Sequence, residues 1–147
     1  MKQLNKLSNS NKILLYDYLC YLEKELKDSF GKFNIEDDNL CAFLDMNSIF
    51  IGSYTETNKK KIRNYKYFLL SNLRKPDKFK KIPDNDDAYL HLKHIRNAIA
   101  HGNIVSVNKL NFTITDYSEQ GNLSAMGKIS CKLFYDLIDV LLKTKTI

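Results

Sequence analysis

Tryptophan is absent from this 147-residue chain, and cysteine is scarce. Cys20, Cys41 and Cys131 lie far apart, and their odd number leaves one without a partner. No CxxC pair and no Cys/His zinc spacing occurs, which argues against a disulfide scaffold or a zinc finger. The three read instead as small core residues of a reduced protein. No cluster of His, Asp and Glu has ligand spacing, so neither a metal nor another cofactor is expected. The N-terminus "MKQLNKLSNSNKILLYDYL" lacks the apolar run and small-residue cleavage site of a signal peptide. No segment reaches the roughly 18 apolar residues of a membrane span. These absences predict a soluble, cytoplasmic protein with no membrane contact. No internal repeat, low-complexity tract or linker divides the chain. One domain over 1–147 is expected, large enough to bury a real core.

What is present is aromatic bulk, nine Tyr and eight Phe, and a net charge of +6. The positive residues are uneven. "NKKKIR" carries Lys59, Lys60, Lys61 and Arg63, and "LRKPDKFKK" carries Arg74, Lys75, Lys78, Lys80 and Lys81. A lone lysine run is usually a solvated face. Two neighbouring runs suggest phosphate contacts of the salt-sensitive, sequence-independent kind. Lys59, Lys60, Lys61, Arg63, Lys78, Lys80 and Lys81 are therefore candidate nucleic-acid contacts. No helix-turn-helix spacing and no aromatic-basic RNA motif accompanies them, so a plain nucleic-acid-binding bundle has charge alone in its favour.

Hydrophobic spacing predicts mostly helix. Leu15, Leu19, Leu22 and Leu26 form one stripe behind a cap at Ser10 or Asn11, with Glu23 and Lys27 paired outside and Gly31 as the stop. A short helix with Leu40, Phe43 and Leu44 follows the acidic "EDDN". A third helix is expected from Thr57 to about Leu73, with Ile62, Tyr65, Leu69 and Leu73 inside. Asp84 offers a cap for a helix over 85–101, whose stripe is Ala88, Leu92, Ile95 and Ile99 and whose stop is Gly102. The period then changes. Ile104, Ser106, Asn111, Thr113 and Thr115 oppose Val105, Val107, Phe112 and Ile114, with a tight turn at Asn108-Lys109, which reads as a β-hairpin. Ser124 caps a last helix with Ile129, Leu133, Leu137 and Leu141. The expected fold is mainly α: a bundle of four to five helices with a small hairpin inserted before the last helix.

Within the 85–101 helix, "HIRNAIAHGN" places polar residues on an otherwise apolar segment. At about 100° per residue, Arg96 and His101 fall about 140° apart, while His94 and His101 share a column. Arg96 and His101 would not converge on one phosphate within a chain. They could meet if two such helices packed antiparallel across a dyad, with Asn97 and Ala100 at the axis. His101 ends the helix at its C-terminal pole, where the dipole favours a cation. A histidine beside an arginine suits phosphodiester chemistry.

"RNAIAHG" resembles the Arg-x4-His signature of the HEPN superfamily, in which Arg is usually followed by Asn, Asp or His; Asn97 fills that slot. The resemblance implies a metal-independent endoribonuclease of toxin or phage-defence type, with its site built across a homodimer through the 85–101 helix. It implies that Arg96 holds the scissile phosphate. His101 would act as general acid or base in attack by the ribose 2′-hydroxyl, leaving a 2′,3′-cyclic phosphate, and Asn97 would orient the phosphate or the histidine. His94 reads as an exposed neighbour and His91 as structural. Some family toxins carry a tyrosine two residues after the histidine that a partner nucleotidyltransferase modifies. This chain has Gly102 and Asn103 there, so that control is not implied. The alternative is a non-catalytic HEPN-like module that binds nucleotide, RNA or a partner such as a nucleotidyltransferase. An antitoxin is the other partner the resemblance suggests.

Overall fold

The computed structural model describes residues 7–74 and 87–146. The described chain forms five helices and five strands. In order they are α1 (Asn9–Leu26), α2 (Asp38–Met46), β1 (Ile49–Ser53), α3 (Glu56–Lys61), β2 (Tyr67–Ser71), α4 (Asp87–Ala100), β3 (Ile104–Val107), β4 (Asn111–Tyr117), β5 (Leu123–Ser130) and α5 (Cys131–Lys143). The strands form one mixed sheet in the order β1-β2-β5-β4-β3. β1 and β2 are parallel and joined by the α3 crossover; the other neighbours are antiparallel. The architecture is α+β, and the expectation of a mainly helical bundle with one small hairpin is wrong.

The reasons are local. The expected helix from Thr57 to Leu73 is a short α3 capped by the Thr55 hydroxyl, a 3-10 turn at Ile62–Asn64, and strand β2. β2 lies inside the sheet, where both faces are covered. "YFLLS" is accordingly a continuous apolar run whose period distinguishes neither helix nor strand. The last helix begins at Cys131 behind the cap Ser130, not behind Ser124. Residues 123–130 are instead β5, also internal. Its Gly127 has no room for a side chain: a Cβ there would lie 2.9 Å from the Phe68 carbonyl oxygen.

Helices α1, α4 and α5 supply the core above the sheet. Leu15, Leu22 and Leu26 of α1 are buried, as are Ala88, Leu92, Ile95 and Ile99 of α4 and Phe134, Leu137 and Leu141 of α5. Phe112 of β4 meets Phe134 edge-on at 5.4 Å between ring centres. The expected hairpin exists as β3 and β4, but its faces are paired differently. Ile104 lies opposite Ile114, and both are buried with Phe112, while Val105 and Val107 lie opposite Thr113 and Asn111. The turn does fall at Asn108 and Lys109, both at positive φ. The first cap is Ser8 rather than Ser10 or Asn11. Asp37 caps α2 by accepting from Leu40 N at 3.0 Å. Cys20 and Cys41 are exposed and Cys131 is half-buried, so the cysteines are not core residues. No helix among the described residues is long and apolar enough to cross a membrane.

Candidate functional site

The end of α4 is fixed by its glycine. Gly102 adopts φ +72°. Its N–H donates to Ile99 O at 3.1 Å, and Asn103 N–H donates to Ala98 O at 2.8 Å. This pair of bonds is a Schellman motif, which a side chain at Gly102 would strain. His101 is thereby the last residue of the helix cap, exposed, with its N–H bonded to Asn97 O at 3.0 Å. The Asn103 carbonyl accepts from Thr115 N at 3.2 Å, which ties the helix end to β4.

Beside that end lies a cavity of about 420 Å³. His94, Asn97 and His101 contribute from α4, Asp116 and Tyr117 from β4, and Arg74 from the segment after β2. The shared column of His94 and His101 is thus one wall of a single cavity. His94 is not an exposed neighbour: its side chain is 14% accessible. Its Nδ1 lies 2.7 Å from Asp116 Oδ2 and its Nε2 lies 2.8 Å from the Asn72 carbonyl oxygen. A carboxylate and a carbonyl only accept, so both bonds form when each ring nitrogen carries a proton. Asn97 Nδ2 donates more weakly to the same Asp116 oxygen, at 3.4 Å. Asp116 is buried, and its Oδ1 has no hydrogen-bond partner among the described residues.

One turn earlier, His91 sits in the core with Nδ1 2.8 Å from the Ser71 hydroxyl of β2. Burial, reinforced by the neighbouring His94, lowers its pKa to about 3. It is a neutral structural histidine, as the sequence suggested.

Arg96 stands on the other flank of α4. Its Nη1 donates to Glu23 of α1 at 3.0 Å, and its Nε is buried without a hydrogen-bond partner among the described residues. Arg96 does not line the cavity that holds Asn97 and His101. Glu23 turns to this arginine, where the sequence suggested Lys27 as its partner.

The first basic run lies on α3 and the turn after it. Lys59 bonds Glu56 at 3.1 Å and lies over the Tyr54 ring, while Lys60, Lys61 and Arg63 are exposed. None of the four lines the α4 cavity. Lys78, Lys80 and Lys81 lie outside the described residues, as does the expected Asp84 cap. Among the described residues, no group of three or more His, Cys, Asp or Glu side chains is placed to hold a metal ion.

Sequence reasoning missed Asp116. A single acid in "NFTITDYS" gives no local signal. The available clue was alternation, which puts Asp116 on the same face as Phe112 and Ile114. A carboxylate on a core face needs a partner.

A family model described as HEPN pEK499 p136 matches residues 12–144, from α1 through the end of α5. The chain belongs to that HEPN family. No curated protein and no solved structure matches it.

Proposed function

We propose that the chain is a metal-independent endoribonuclease of HEPN type, acting as a toxin or phage-defence effector at a composite site of a homodimer. The observation that carries this reading is the division of α4. His101 and Asn97 line a cavity on one flank, and Arg96 occupies the other flank against α1. Within one chain they do not meet, and a second copy of α4 would supply the missing partner across a dyad. Ala100 is the exposed residue of the helix, and Lys93, Asn97 and His101 share its side, so the contact would lie at the C-terminal end of α4.

In this mechanism the ribose 2′-oxygen attacks phosphorus, the bond to the 5′-oxygen breaks, and a 2′,3′-cyclic phosphate and a 5′-hydroxyl result. His101 transfers a proton at the 2′- or 5′-oxygen. Arg96 from the other chain stabilises charge on the phosphate, and Asn97 orients it. Lys59, Lys60, Lys61 and Arg63, with Lys78, Lys80 and Lys81, would hold flanking phosphates. An antitoxin is the partner expected to restrain the enzyme, since Asn103 stands where a nucleotidyltransferase would need its target tyrosine.

Purified protein should cut single-stranded RNA in excess EDTA and leave those ends. His101→Ala should lose at least about 10²-fold in rate, the scale of a general acid or base. Cleavage by that variant at the wild-type rate would falsify the assignment.

A non-catalytic HEPN module, binding nucleotide, RNA or a protein partner, is the second reading. The Arg96–Glu23 ion pair favours it, because a phosphate clamp already engaged within its own chain must be released before it can act. Protein that binds RNA through these residues and leaves it uncut would select this reading.

A further inference from the structure

The β4–β5 ladder slips by one residue at its far end. Asp116 pairs with Ala125 and Tyr117 with Leu123, which leaves Ser124 as the extra residue. A regular strand sends successive side chains to opposite faces. Here Asp116, Tyr117 and Ser124 all line the cavity beside α4. Bulges increase local twist and re-aim side chains, and they concentrate next to functional sites. This one is braced. Ser124 Oγ donates to the Asp116 carbonyl at 3.1 Å, and the Ser124 carbonyl accepts from Asn72 N at 2.7 Å.

What the bulge brings to the rim is an aromatic ring. Tyr117 is 48% exposed, and among the described residues its ring packs against no other ring. Asn72 Oδ1 accepts from Arg74 N at 3.0 Å, which sets the course of the chain at a second rim residue. Asp116 is buried behind the rim, its Oδ2 2.7 Å from His94 Nδ1. Arg74 and Lys93 stand at the mouth beside Glu119 and supply its two fixed cations.

We propose that this cavity seats one unpaired nucleotide of a single-stranded RNA. Its base stacks on Tyr117, and Arg74 and Lys93 face the adjoining phosphates. Every base offers a π-face, so an aromatic rim holds single strands without demanding a sequence, whereas bases in a duplex are already stacked. A volume of about 420 Å³ lies in the range of small-molecule sites. The inference rests on the reading of this protein as an RNA-acting HEPN enzyme, and it adds the subsite that seats one base and the residue that stacks on it.

The test measures binding of a fluorescently labelled 2′-O-methyl oligoribonucleotide, which has no free 2′-hydroxyl and cannot be cleaved by 2′ attack. Tyr117→Ala should weaken binding about tenfold, within the scale of base–aromatic stacking. Tyr117→Trp should bind as the wild type does, and the same oligonucleotide annealed to its complement should bind weakly to all three proteins. Unchanged binding by Tyr117→Ala overturns the proposal, as does a loss that Trp fails to restore. Displacement of the labelled strand by AMP as efficiently as by unlabelled strand would assign the cavity to a free nucleotide, and would also overturn it. The assay reads no cleavage. Its failure leaves the ribonuclease reading standing, and an inactive protein that binds through Tyr117 leaves this pocket standing.

Discussion

His94 Nδ1 lies 2.7 Å from Asp116 Oδ2, and that contact joins helix α4 to strand β4 of the sheet. The same oxygen receives Asn97, so one buried carboxylate holds two residues of the cavity wall. Removing Asp116 leaves His94 and Asn97 without their shared acceptor, and a buried group deprived of its hydrogen-bond partner costs roughly 1–3 kcal/mol. His94 keeps some access to water, so Asp116→Ala should cost about 2–3 kcal/mol in urea unfolding at neutral pH. The double variant with His94→Ala should cost less than the sum of the two single variants. Strict additivity would show that the two side chains are neighbours without an energetic bond.

His91 makes the fold acid-sensitive. Its folded pKa is lowered to about 3 by burial, and in the unfolded chain it returns to about 6.5. Between those values the unfolded state binds the extra proton and the folded state does not. Stability therefore falls as pH falls through this window, by up to about 1.4 kcal/mol per unit. In His91→Gln this contribution is absent. The difference in unfolding free energy between wild type and variant should shift by about 2 kcal/mol from pH 7 to pH 5, to the wild type's disadvantage. Parallel stability profiles would show that the buried ring takes up its proton without unfolding.

Much of the helix α4 site was legible because its signals are local. Gly102 announces the helix stop, and helical spacing separates Arg96 from His101 and aligns His94 with His101. The structure places each of these accordingly. The sheet was not legible, for two physical reasons. β2 is buried on both faces, and such a strand loses the alternation that identifies it, while β5 alternates largely through the weakly apolar Ala125 and Gly127. The pairing of β2 with β5 joins segments far apart in sequence, and local pattern carries no record of such partners. The Asp116 contact failed for the same reason: His94 and Asp116 meet only because the sheet brings β4 beneath α4.

The basic run on α3 gives a prediction separable from catalysis. Lys59 is occupied by Glu56, whereas Lys60, Lys61 and Arg63 are exposed. If the latter three touch phosphates, reversing them to Glu should weaken RNA binding and flatten its dependence on salt, by about one unit of slope per lost contact. An equivalent reversal of Lys78, Lys80 and Lys81 tests the second run. A reversed protein with the wild-type slope would return those residues to the role of a solvated face.

The dimer prediction follows from how completely α4 is covered. α1 takes the Arg96 flank, and β4 and Asn72 take the His94 flank. What remains open is the end of the helix, where Ala100 is exposed. A dyad that brings Arg96 of one chain toward His101 of the other must pass close to Ala100. Ala100→Arg would place a long cation against its own copy, and a two-fold axis makes that repulsion unavoidable. The variant should be monomeric by light scattering, folded by circular dichroism, and inactive on RNA. Arg96→Ala and His101→Ala chains should each be inactive alone. Mixed and allowed to exchange, they should recover part of the activity, because a heterodimer can assemble one site from the intact Arg96 of one chain and the intact His101 of the other. A monomeric Ala100→Arg protein with full activity would show that one chain suffices. Arg96 would then belong to the α1–α4 contact, and the phosphate would have to be held by the cations at the cavity mouth.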